Sequence, residues 1–127
     1  MLRVIEVMIA CVTVCIAALV NASTASADEL VTYEVVSEDI GMANIEYEDS
    51  TGRVAQEGVM LPWRVDVMVH AVRKPPPDGS QVRADWRPVA GPAKWVSVRI
   101  IYQGKLLCQN TLDVGNATCY GITPRIT

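Results

Sequence analysis

The sequence contains no phenylalanine and a single histidine, and no stretch after residue 27 shows a helical hydrophobic period. The missing period excludes a helical bundle, because a helix packed on one face repeats its apolar residues every three to four positions. His70 as a general base would need a nucleophile and an orienting partner. No pattern supplies either, so it reads as a strand residue, and nothing in the chain points to an enzyme or to a cofactor. A concentrated cationic patch is also missing: the formal net charge is -3, which argues against nucleic acid as a partner. Between Asp28 and Asp49 there are eight acidic residues and no basic one, while from Arg53 onward ten basic residues face five acidic, so the two regions can pair across strands. Asp113 to Asn116 lacks the repeated acidic ligands of a calcium loop and reads as a turn.

Valine is abundant, and glycine and proline punctuate the chain at short intervals, which favours β-strands. The clearest period lies in Val59 to Arg73, VMLPWRVDVMVHAVR. From Trp63 it alternates, with Val65, Val67, Val69 and Ala71 on the face of Trp63 and Arg64, Asp66, Met68 and His70 on the other. That is a half-buried strand, entered at Pro62 and predicted to organise shorter strands around it.

Other strands are predicted over Leu30–Val36, Ala43–Glu48, Arg53–Val59, Gln81–Pro88, Lys94–Gln103, Lys105–Leu112 and Ala117–Ile122. Turns are read at Ser37–Met42 and Asp49–Gly52, and loops at Lys74–Ser80, with three consecutive prolines, and Val89–Ala93. Short alternating strands with turns at near-regular spacing predict an all-β fold. The expected architecture is an antiparallel immunoglobulin-like β-sandwich of about seven strands over residues 28–127.

Residues 1–27 form a separate N-terminal hydrophobic helix or signal segment. Arg3 precedes an apolar run from Val7 to Val20, about 21 Å as a helix, short of a hydrocarbon core of about 30 Å. Ala25-Ser26-Ala27 fits a cleavage pattern before Asp28. The competing reading takes residues 4–22 as an uncleaved span that anchors the protein in the cell membrane. Both readings place residues 28–127 outside the cytoplasm. In that setting Cys108 and Cys119, with no further cysteine or histidine nearby to complete a zinc tetrahedron, read as a candidate disulfide. If Asp113–Asn116 closes a hairpin, Cys119 lies diagonal to Cys108 at about 7 to 8 Å, too far for a relaxed bond, so a bulge or pairing across non-neighbouring strands is required.

Glu46 and Glu48 share a strand face and could form a carboxylate pair for glycoside chemistry, although a solvated face is the simpler reading. Trp63 follows the core face of its strand. Trp86 and Trp95 flank the Val89–Ala93 loop and are candidate interface anchors. Asn116-Ala117-Thr118 fits a glycosylation sequon.

The order of VTYEV at Val31–Val35, ANIEYED at Ala43–Asp49, LPW at Leu61–Trp63, VSVRI at Val96–Ile100 and a late cysteine at Cys119, after an N-terminal apolar segment, resembles the small mycobacterial membrane protein (MmpS) family. The resemblance implies a single-span protein whose extracytoplasmic β-sandwich works with a large RND-type transporter, the MmpL partner, in exporting siderophores or lipids. The chain departs from the family pattern in having Val98 near the place of the first cysteine, which here stands at Cys108. The alternative from the residues alone is a secreted immunoglobulin-like module, cleaved after Ala27, that recognises a ligand or host protein through loops such as Lys74–Ser80.

Overall fold

The computed structural model describes residues 27–127, and residues 1–26, with the predicted signal or anchor, lie outside them. The described chain is all-β, with nine strands: β1 Glu29–Val36, β2 Met42–Asp49, β3 Gly52–Met60, β4 Trp63–Val69, β5 Gln81–Asp85, β6 Val96–Tyr102, β7 Lys105–Leu112, β8 Asn116–Tyr120 and β9 Arg125–Ile126. They form a sandwich of two sheets, one ordered β4-β1-β6-β7-β9 and the other β3-β2-β5-β8. All pairings are antiparallel except the short β9 against β7. Two hairpins, β2–β3 and β6–β7, stay within one sheet, and every other connection passes between sheets.

The period of two determines which side chains meet. Val31, Tyr33 and Val35 of β1, Ala43, Ile45 and Tyr47 of β2, Val82 and Ala84 of β5, and Val96, Val98 and Ile100 of β6 all point inward and are buried. Trp86, just beyond β5, is the largest fully buried side chain. The alternation predicted from Trp63 is present in β4, and Pro62 lies just ahead of it. Yet β4 is an edge strand, and β1 lies inside the sheet, paired with β4 on one side and with the central strand β6 on the other. Edge position leaves Trp63, Val65 and Val67 only half-buried.

The predicted turn at Asp49–Gly52 is also present. The Asp49 carboxylate accepts hydrogen bonds from the Thr51 N–H at 2.7 Å and the Thr51 hydroxyl at 2.6 Å, and Gly52 takes φ 124°, a conformation that side chains disfavour. Gly121 has a different reason to be glycine. A Cβ there would lie 2.0 Å from the Val72 carbonyl oxygen, where the chain passes close beside Ser80.

The link from β7 to β8 corrects the hairpin reading. Leu112 pairs with Val96 and Ala117 with Ala84, so Asp113–Gly115 carries the chain from one sheet to the other. The Gly115 carbonyl accepts a hydrogen bond from the Trp86 N–H at 2.8 Å, holding the link over the end of β5. There Ala117 and Cys119 match the inward residues Ala84 and Val82. Cys119 consequently faces Cys108 across the interior with a Cα–Cα distance of 5.9 Å, and the two form a disulfide. The last predicted strand is shortened to Asn116–Tyr120, and the following turn returns the chain to β7 as β9.

Tyr33 makes a second connection between the sheets. From β1 its hydroxyl donates to the Glu48 carbonyl at 2.7 Å and accepts from the Gln81 N–H at 3.2 Å, joining it to the two middle strands of the opposite sheet. Burial pushes this phenol well above its ordinary value, so it stays protonated and keeps donating. Tyr33→Phe leaves a buried carbonyl and a buried N–H without their partner. The variant should unfold in denaturant with a loss of about 1–3 kcal/mol. The disulfide closes a short loop, cysteines 11 residues apart. By the chain-entropy relation its removal in Cys108→Ala/Cys119→Ala should cost about 3 kcal/mol in the same measurement.

Candidate functional site

The sandwich has two ends separated by the length of its strands. Residues 1–27 join at Asp28, and β1 then runs eight residues, about 23 Å at 3.3 Å per residue, to Val36 at the far end. The far end is built from the β1–β2 turn, the start of β4, the segment between β5 and β6, and the β7–β8 link.

At the far end Ser37 ties two of these segments together. Its hydroxyl donates to the Trp95 carbonyl at 2.7 Å and accepts from the backbone N–H groups of Asp39 at 3.1 Å and Ile40 at 2.9 Å. The Trp95 N–H donates in turn to the Asp39 carboxylate at 3.4 Å. The backbone of Trp95 is therefore held on both sides, while 52% of the residue remains exposed. Beside it Val36, Ser37, Glu38, Asp39, Ser97 and Arg99 line an open depression of about 570 Å³.

Most hydrogen-bonding capacity in the floor is already used. Ser97 and Thr111 share a hydrogen bond of 2.8 Å, and the Arg99 Nε donates to the Gln109 side chain at 2.7 Å. That contact fixes the guanidinium plane and leaves its two terminal amino groups free of any ion pair among the described residues. Arg53, Arg64, Arg83 and Arg87, by contrast, all face carboxylates. The exposed indole of Trp95 and the guanidinium of Arg99 are residue types enriched in binding hot spots, and the Glu38 and Asp39 carboxylates lie beside them. Four other large apolar side chains are exposed at this end: Met42 opposite Met60 in the β2–β3 ladder, and Val89 and Val114.

The remaining sequence candidates fall elsewhere. Trp86 is fully buried, so it has no surface to offer a partner and belongs to the core; its position one step beyond β5 continues the inward alternation. Trp63 packs against Tyr47 with ring centroids 5.6 Å apart, and Tyr47 against Tyr33 at the same distance, extending the aromatic interior. Glu46 and Glu48 both engage Arg53, at 3.0 and 3.2 Å, and Gln81 accepts from the same guanidinium at 2.6 Å. The two carboxylates thus share one guanidinium in an ion-pair cluster across the β2–β3 ladder. Asn116 opens β8 opposite Asp85, within a strand rather than on a loop. Among the described residues, no group of three or more His, Cys, Asp and Glu is placed to hold a metal ion.

No known protein-family model matches the chain. No curated protein matches its sequence. The depression around Trp95 is thus defined by its own chemistry, and Arg99, which nothing in the strand pattern singles out, is a part of it.

His70 sits at the opposite end, next to the start of the described chain. Its Nδ1 meets the Asp28 carboxylate at 2.9 Å, with both side chains substantially exposed. No hydroxyl or thiol among the described residues is hydrogen-bonded to its ring. The hydrogen bond to Asp28, followed by the charge of the same group, raises the imidazole above its ordinary value of 6.5. A raised histidine contributes stability that is fully present below pH 6.5 and is lost as the pH rises through the elevated value. An NMR titration of the imidazole should show the elevated midpoint, and Asp28→Asn should return it toward 6.5.

Proposed function

We propose that the chain is a non-enzymatic accessory protein of an RND-type (MmpL) transporter, anchored in the cell membrane through residues 4–22. In this reading residues 28–127 stand outside the cytoplasm and assist export of siderophores or lipids across a mycobacterial envelope. The residues that carry the resemblance to the MmpS family support it: VTYEV lies in β1, ANIEYED in β2, LPW leads into β4 and VSVRI lies in β6. The disulfide between the sheets suits an oxidising compartment.

The single observation that carries the partner side of the reading is the position of the Trp95 depression at the end of the sandwich opposite Asp28. A domain tethered at one end reaches a neighbouring protein with the other. There the half-exposed Trp95 and the unpaired Arg99 act as anchors, and the exposed Met42 and Met60 add an adaptable apolar rim.

The test places a photo-crosslinking amino acid at position 95 of the full chain in mycobacterial envelopes, with intact mass determined separately for membrane and culture-supernatant fractions. Recovery of an RND-type transporter crosslinked to a membrane species that retains residues 1–27 is the expected result. A soluble species starting at Asp28 would overturn the anchor and favour a secreted immunoglobulin-like binding module. With the transporter identified, Trp95→Ala should weaken binding by about 2 kcal/mol, roughly 30-fold, while leaving the unfolding transition unchanged.

A further inference from the structure

The exposed large hydrophobic residues are not scattered. Met42, Met60, Val89, Val114 and Trp95 lie at the far end, and Leu30, Met68, Leu106, Tyr120 and Ile122 lie at the end where residues 1–27 join. Among the described residues only Ile126 is placed between, on β9. The near-end group comes from both sheets. Leu30 of β1 pairs directly with Met68 of β4, and Leu106 of β7 pairs with Ile101, which itself lies opposite Thr32 of β1. Tyr120 closes β8, and the Gly121 N–H donates to the Ser80 carbonyl at 3.0 Å, keeping this turn beside the start of β5.

One row further along the same outer face the chemistry changes. The Thr32 hydroxyl donates to Asp66 at 2.6 Å, and Arg64 meets Glu34 at 3.3 Å. The apolar surface therefore ends within one or two residues of the near end, and the waist of the sandwich is polar.

The tether identifies what covers this end. Asp28 is paired with His70, while the Glu29 carboxylate accepts from the Val72 N–H at 2.9 Å and from the Tyr102 hydroxyl. These contacts fasten the first described residues to the body of the domain. From Ala22, the end of the proposed span, to Asp28 is six residues, at most about 21 Å of extended chain, so the near end of the domain stays within that distance of the bilayer.

We infer that the near end of the sandwich, through Leu30, Met68, Leu106, Tyr120 and Ile122, rests on the lipid surface into which residues 4–22 insert. The inference builds on the anchored reading above and adds the orientation of the domain. Short tethering raises the effective concentration of lipid at this surface, so a modest apolar patch suffices where a free domain would not bind. Tyr120 brings an amphipathic ring suited to the headgroup level. Arg73, Lys74 and Lys105 are exposed at the same end and supply cations for the headgroup region. Of the acidic groups there, Asp28 is paired with His70, Glu29 is held by Val72 and Tyr102, and Asp49 by Thr51, while Asp78 in the Lys74–Ser80 loop is exposed.

The full chain carrying Cys11→Ala and Cys15→Ala, which leaves the Cys108–Cys119 disulfide as its only cysteines, is reconstituted into vesicles of phosphatidylcholine with phosphatidylglycerol. An environment-sensitive NBD label is attached at Leu30→Cys in one sample and at Glu38→Cys, on the far end, in another. The expected result is flotation with the vesicles, blue-shifted emission at position 30 that is lost with doxyl-labelled lipids, and unquenched, water-like emission at position 38. Flotation with water-like emission at both positions would overturn the inference while the anchored reading stands. Protein that fails to float would overturn both. Leu30→Ser/Met68→Ser, labelled at Lys105→Cys, should still float yet lose most of the quenching seen at that position without the serines; unchanged quenching would show that these side chains do not make the contact.

Discussion

The fold depends on bringing two twisted sheets into a fixed face-to-face relation, and the Tyr33 hydroxyl is the group that specifies it. Hydrophobic burial pulls the sheets together but does not set their alignment, because apolar contact has no direction. The phenol adds direction: it stands on an interior strand of one sheet and meets a carbonyl and an N–H from the two middle strands of the other. Both bonds lie in the low-dielectric interior, where a polar group shifted from its partner is costly. Tyr47 and Trp63 continue the aromatic line toward β4, filling space that smaller side chains would leave open. The Cys108–Cys119 disulfide makes a covalent counterpart between β7 and β8.

With the sheets aligned, the crossing connections separate the surface into regions of different chemistry. The waist carries cross-strand ion pairs, such as Arg53 with Glu46 and Glu48, and Arg64 with Glu34. The ends carry the exposed apolar side chains and the turns. At the far end the hydrogen bonds of Ser37 and Asp39 hold the backbone of Trp95 in place and leave its side chain half-exposed.

Much of this was legible in the residues. The alternation in β2, β4, β5 and β6 marked their inward sets, and Pro62 and Gly52 marked the strand boundaries they occupy. What failed was the reading of Asp113–Asn116 as a hairpin loop. A short link with glycine can close a hairpin or turn a corner between sheets, and nothing in its four residues distinguishes the two. Trp86 failed for a related reason: beside a loop it looked available, but one more inward step beyond β5 carried it into the core.

The sequence by itself determined the all-β class and the strand faces, because a period of two acts locally and every residue carries its own share of it. Tertiary structure alone decided that β4 lies at the edge and β1 inside the sheet, which charges meet across strands, that Cys108 faces Cys119 across the interior, and that Trp95 and Arg99 share one depression. Each of these depends on which strand edges find one another after the chain has crossed between sheets. That choice is made by the fit of whole faces, with contributions from residues far apart in the chain, and no local pattern contains it.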